Sequence, residues 1–317
     1  MYSHARVGLK FGLGELGIGL GDNILIPNYI CEAVLQPLRE LSISWCYYQM
    51  TDDFKPVWID LHKHVDERTR AVLMVHYFGQ PQDIGKYISF CEKYNLSLIE
   101  DNAHGHSGKL NNQTLGTFGD LGISSPRKIV GTETGGVVYI SGRIAKPGFD
   151  GLEPYKSSVI GSKFRTQFIT QPARKAWLRK VFKRMPRYDL PGTFTELKLG
   201  DWTVDERSCN VIQKKDWKKV AEVRRFNWSK WSQYSTQQGL LPIWVTPSSE
   251  SCPWAMPAYA TSVSERNRWL EWSWRCGLGL FPWPSLPDEL IVNNPTVLER
   301  WQRLICFPLD TPAPRNH

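Results

Sequence analysis

The stretch SLIEDNAHGHSG, residues 97–108, runs from an apolar segment straight into Asp101, His104 and His106. Three chemistries suit such a cluster. As metal ligands, Asp101, His104 and His106, with His76 as a fourth donor, offer the oxygen and nitrogen atoms of a Zn²⁺ site, and the protein would be a metal-dependent hydrolase. No HExxH or further HxH pattern accompanies them. As ordinary loop residues, Asp101 caps local backbone and the histidines are solvated. As half of a split site, Asp101 works with a lysine far away in sequence.

That lysine is Lys128, in GDLGISSPRKIVGTETGGVVYI, residues 119–140. The pattern predicts a strand ending near Ser124, then the lysine, then a Thr/Gly-rich turn and a strand from 135. Pyridoxal phosphate asks a protein for an amine, an anion at the ring nitrogen, a cradle for the phosphate and a support for the ring. Lysine supplies the amine that forms an exchangeable imine, and a carboxylate keeps the ring nitrogen protonated. Lys128 and Asp101 at two strand ends of one sheet would form that pair.

The elements that must position them alternate along the first half. Residues 23–27 (NILIP), 43–48, 71–77, 96–100 and 135–140 read as short strands rich in Ile, Val and Leu, while 31–41 and 83–95 carry apolar residues at helical spacing. This predicts an α/β fold with a mostly parallel sheet whose chemistry lies at the carboxyl ends of the strands, near a topological switch point. Asp101 directly follows one predicted strand and His76 falls at the end of another. GLGELG at 12–17 formally matches the dinucleotide fingerprint GxGxxG, but more glycines and then a strand follow it, so it reads as a turn joining a helix to the strand at 23.

The 317 residues are 41% hydrophobic and 22% charged, the composition of a soluble globular chain. No segment approaches the ~20 apolar residues of a membrane span, and the first residues lack the pattern of a secretory signal. Seven cysteines without a CxxC pair fit a reducing, cytoplasmic setting. Residues 1–150 hold 14 basic and 16 acidic side chains, whereas 151–317 hold 25 and 15 and twelve of the 14 tryptophans. Two regions follow: 1–150, a large cofactor-binding α/β domain, and 151–317, a basic, Trp-rich region that includes a small C-terminal domain. Residues 170–187, TQPARKAWLRKVFKRMPR, form a basic amphipathic helix in this reading. It would either pack on its own domain or touch an anionic membrane surface peripherally. Nucleic acid is not expected, because no recognised module accompanies the charge.

Taken in order and spacing, GDNILIPNYICEAVLQPL, VLMVHYFGQPQDI, LIEDNAHGHSG, LGTFGDLGI, SSPRK and TGGVVYI resemble the DegT/StrS-type sugar aminotransferases, fold-type I pyridoxal-phosphate enzymes. The likeness covers roughly residues 3–141; beyond 150 only FPWPSLP and LICFPLD look similar. It implies a fold-type I large domain with a smaller C-terminal α+β region. The implied activity moves an amino group from an amino acid, with glutamate the candidate donor, to a nucleotide-linked keto-sugar. The implied cofactor is pyridoxal 5'-phosphate, with no metal, in a homodimer. Lys128 becomes the Schiff-base lysine and Asp101 the partner of the ring nitrogen, with His104 near the ring's phenolic oxygen. Ser124 or Ser125 would reach the phosphate, although the family's serine position, five before the lysine, is Ile123. The backbone N–H groups of Ala5 and Arg6 face the phosphate, Tyr29 supports the ring, and His76 is positional. The chain starts almost at the phosphate turn, so the family's N-terminal lead-in is expected to be lacking, and contacts borrowed from a partner subunit would come from Lys156–Arg187. A non-catalytic relative that binds a nucleotide-sugar is the alternative.

Overall fold

The computed structural model describes residues 1–141, 151–156, 188, 191 and 200–314. Two compact units account for the chain. The first comprises Met1–Tyr155, Phe194–Glu222 and Ser248–Trp254, and the second Lys156–Thr193, Val223–Pro247 and Ala255–His317. A single division at residue 150 therefore gives way to an interleaved one. Residues 200–222 and 248–254 return to the first unit through long-range bonds that no local pattern announces. Thr134 donates its hydroxyl to the Asp205 carboxylate at 2.5 Å, and the Lys109 N–H reaches the Glu250 carbonyl at 3.0 Å. The basic helix expected at 170–187 lies outside the described residues.

In the first unit, β1 (Asn23–Pro27), β2 (Ser44–Tyr48), β3 (Thr69–Val75) and β4 (Ser97–Asn102) are joined by β7 (Leu121–Ser124) and β8 (Val137–Ile140) in the order β2-β1-β3-β4-β7-β8. All neighbours are parallel except β7 and β8. A small hairpin of β5 (Lys109–Leu110) and β6 (Gln113–Thr114) stands apart. Ile24, Leu25 and Ile26 of β1, and Val72, Leu73 and Met74 of β3, are buried on both faces, which is why these strands read as unbroken apolar runs.

Helices α1 (Ala5–Glu15), α2 (Leu35–Glu40), α3 (Trp58–Lys63) and α4 (Ile84–Tyr94) complete the alternation. The helix expected at 31–41 is split, because a 3₁₀ turn at Glu32–Val34 precedes α2. Helix α1 lies close on the sheet: a Cβ at Gly8 would sit 2.2 Å from Val138 and one at Gly12 2.3 Å from Leu121. Gly12, the first glycine of GLGELG, thus serves helix–sheet packing. The short helix α5 (Arg127–Val130) follows β7, and α6 (Glu206–Gln213) is capped by Asp205, which accepts the Ser208 N–H at 2.9 Å. Helix α7 (Trp217–Gln237) contributes its first residues to this unit.

The second unit has an antiparallel sheet, β11-β10-β9, made by β9 (Leu241–Pro242), β10 (Ala255–Tyr259) and β11 (Leu304–Pro308). Helices α8 (Val263–Cys276), α9 (Asp288–Asn293) and α10 (Pro295–Arg303) accompany it. It is an α+β arrangement. The tryptophan enrichment is a core property here, since Trp228, Trp231, Trp283 and Trp301 are fully buried. Arg266, equally buried, lies over the Trp301 ring at 4.3 Å.

Candidate active site

Side chains alternate along a strand, so Glu100 and Asp101 of β4 point to opposite faces of the sheet. Glu100 accepts the N–H groups of Gly116, Phe118 and Gly119 at 2.9, 2.5 and 2.6 Å, and lies 3.0 Å from Nε2 of His76. Nδ1 of His76 accepts the Gln82 N–H at 3.2 Å, which puts the ring proton on Nε2, facing the carboxylate. Burial pushes Glu100 up, but His76 and the backbone donors outweigh it and hold the carboxyl below its usual range. His76, just past β3, thus links Glu100 through Nε2 to the Gln82 N–H through Nδ1. Its N–H also donates to the Asp101 carbonyl at 3.0 Å.

Asp101 lies within β4, one residue before its end, rather than beyond the strand. Opposite it in register is Ile123 of β7, and Asn102 faces Ser124. Four residues past Ser124, Lys128 stands in α5, whose Gly131 cap (φ 70°) turns the chain sharply back. Burial raises the Asp101 carboxyl, offset in part by the Lys128 charge and by the Ala103 N–H, 2.8 Å away. His104 follows at the strand's carboxyl end. Burial first, then the Lys128 charge, holds its imidazole well below the usual range. A neutral ring results, and since Nδ1 accepts the Phe78 N–H at 3.3 Å, Nε2 carries the proton. An amine, a buried carboxylate and a proton-donating neutral imidazole thus share one strand-end cluster.

The remaining candidates divide. The Ser124 hydroxyl is taken up by Nδ1 of His106 at 2.8 Å, with Tyr139 at 3.5 Å, whereas Ser125 gives its carbonyl to the Lys128 N–H at 3.1 Å. Ala5 and Arg6 open α1, where the N-cap His4 makes no side-chain capping bond. The TGG turn after Lys128 is pressed against that helix start, so that a Cβ at Gly136 would meet the Ala5 nitrogen at 2.4 Å. Tyr29 packs edge-on against Phe54 at 5.2 Å, and Phe54 in turn touches Phe78 at 5.7 Å. The metal arrangement is not formed: His106 turns to Ser124 and Trp217, and among the described residues no three His, Cys, Asp or Glu side chains could hold an ion.

Sequence reasoning missed Glu100 and Trp254. A charge inside an apolar strand was the available signal for Glu100. Trp254 stacks on His104 at 4.5 Å and lies 5.2 Å from the Lys128 amine, yet nothing in its local pattern announces this.

Residues 2–147 match the DegT/DnrJ/EryC1/StrS aminotransferase family. Within that segment the chain is 28% identical over 139 residues to GDP-perosamine synthase of Vibrio cholerae, covering 43% of this chain and 38% of that protein. It is 30% identical over 136 residues to the UDP-N-acetyl-3-dehydro-alpha-D-glucosamine 3-aminotransferase of Acidithiobacillus ferrooxidans, covering 42% and 37%. The alignments with these relatives thus span well under half of their length. The fold likeness reaches further. The aminotransferase TlmJ from Streptoalloteichus hindustanus superimposes with a TM-score of 0.68 at 18% identity, over 96% of this chain and 78% of that one. The putative sugar aminotransferase Spr1654 from Streptococcus pneumoniae, in its PLP form, gives 0.67 at 15%, over 98% and 81%. The fold likeness thus extends over nearly the whole chain, beyond the segment that matches the family.

Proposed function

We propose that the protein is a pyridoxal-phosphate-dependent aminotransferase that moves an amino group from an amino acid, with glutamate the candidate donor, to a nucleotide-linked keto-sugar. The observation that carries this reading is the meeting of Lys128, on the short helix after β7, with Asp101 and His104 at the end of β4. The donor set fits the cofactor: one amine, one carboxylate, one imidazole with its proton on Nε2, and a helix start packed closely under a glycine turn. When bound, pyridoxal phosphate supplies an aldehyde carbon and an electron-accepting ring.

The chain's own residues do the rest. Lys128 anchors the cofactor and, as a free amine, moves the proton at the substrate carbon. Asp101 keeps the ring nitrogen protonated, and Nε2 of His104 donates to the phenolic oxygen. The hydroxyl offered to the phosphate falls to Ser125, because Ser124 is engaged with His106. The first N–H groups of α1, at Ala5 and Arg6, add a positive dipole end. Tyr29 supports the ring through its aromatic neighbours. A homodimer in the cytoplasm belongs to the same proposal; among the described residues no helix is long and apolar enough to cross a membrane.

The test is direct. Protein loaded with pyridoxal phosphate should absorb near the visible, lose that colour with borohydride, and yield a peptide modified at Lys128. Modification at another lysine, or no adduct, would overturn the reading.

A further inference from the structure

Trp254 reaches the site from far along the sequence, and the loops at the strand ends are shaped to receive it. Residues 248–254 are pinned by Gln80, which accepts the Ser248 N–H at 2.7 Å and lies 3.5 Å from the Ser251 hydroxyl, and by Glu250, whose carbonyl takes the Lys109 N–H. Two glycines make room. A Cβ at Gly79 would come within 3.0 Å of the Pro253 Cα, and one at Gly108 within 3.0 Å of the Cys252 nitrogen. Phe78 adopts φ 55°, a left-handed conformation that costs a bulky residue free energy, and so presents its ring almost parallel to the indole, 12° off at 6.3 Å.

The outcome is a half-buried indole beside the Lys128 amine, backed by His104 at 4.5 Å and by Phe78. Strain and close backbone approach hold in place a large aromatic side chain that is not itself fully buried. Core packing alone does not require that. A half-buried indole next to an amine, a carboxylate and a neutral imidazole is a surface on which a flat, electron-poor ring gains contact.

We propose that Trp254 is a positioning residue of the Lys128 pocket, its indole forming an aromatic wall against the ring of whatever carbonyl compound the lysine holds. This rests on the pyridoxal-phosphate reading for the identity of that ring. The indole sets the ring's tilt, and the asymmetry of the pocket around it should give the bound chromophore a visible circular dichroism band.

Equilibrium titration of the parent, Trp254→Phe and Trp254→Ala with pyridoxal phosphate, followed by absorbance and visible circular dichroism, tests this. The alanine variant should bind about tenfold more weakly, the factor a ring–ring contact commands, and lose most of the dichroic band. The phenylalanine variant should bind within about threefold of the parent with the band restored, which a merely structural role for the indole would not predict. Melting curves of each protein without cofactor establish that the fold survives. Alanine binding as tightly as the parent, or more tightly, overturns the proposal while leaving the aminotransferase reading intact. A parent protein that forms no adduct overturns both.

Discussion

Glu100 and Asp101 are neighbours in one strand, equally enclosed, yet they sit on opposite sides of the ionisation balance. Burial raises both carboxyls; what differs is the supply of donors, since Glu100 has His76 and three N–H groups while Asp101 has the Ala103 N–H and a more distant lysine charge. Opposite consequences follow for substitution. Glu100→Gln leaves an amide with fewer acceptor sites for the three N–H groups and the His76 ring proton, and should cost about 1 to 3 kcal/mol of stability, read as a lower denaturation midpoint. Asp101→Asn keeps an acceptor for Ala103 and removes a charge whose cost grows as pH rises above 3.8, so the cofactor-free variant should melt at or above the parent at neutral pH. The same change should slow turnover by roughly 10- to 100-fold, the worth of a charge-assisted contact. Lys128→Ala should leave the fold and abolish both the borohydride-fixed adduct and the activity. Equal turnover by Asp101→Asn and the parent would reduce Asp101 to a strand-end residue.

Among the elements, the turn at 76–79 matters most, because two successive positive φ values at Phe78 and Gly79 aim one ring and admit another segment. Gly79→Ala should destabilise the protein by more than about 1 kcal/mol, since the new Cβ meets the His104 carbonyl at 2.7 Å in a conformation that already disfavours it. A chemical-denaturation midpoint equal to the parent's would show that the backbone yields there. The inner strands were legible in the sequence because they are buried on both faces: NILIP at 23–27 is β1 residue for residue. Lys128 and Asp101 were legible because parallel strands must deliver their ends to one edge. Trp254 was not, for its approach depends on Gly79 and Gly108, glycines that look like any loop glycine. Nor does the sequence distinguish Ser124 from Ser125, of which Ser124 meets Nδ1 of His106.

At the scale of the whole molecule, buried neutral histidines add to the loss of stability in acid. His106 is held down to about 4 by burial, against an ordinary value of 6.5. Its contribution to stability is intact above pH 6.5 and is lost as pH falls from there towards 4, because the unfolded chain takes up the proton first. The slope is about 1.4 kcal/mol per pH unit. Melting points should therefore fall across that window, and His106→Gln should flatten the decline. Assembly is a second prediction: sedimentation should give a homodimer, and charge reversal at Lys163 or Arg165, both outside the described residues, should weaken cofactor retention. A monomer that keeps the cofactor tightly would remove the shared pocket. The interleaving of the two units reaches into synthesis itself. The chain leaves the first unit after Tyr155 and does not finish it until Trp254. On the ribosome, at about 5 to 20 residues per second, the six-stranded sheet must wait several seconds after its last strand has been made before the segment seated on Gly79 and Gly108 exists. Chains stalled at residue 240 should remain protease-sensitive in the 76–108 loops, and chains stalled far enough beyond 254 for that segment to clear the exit tunnel should not.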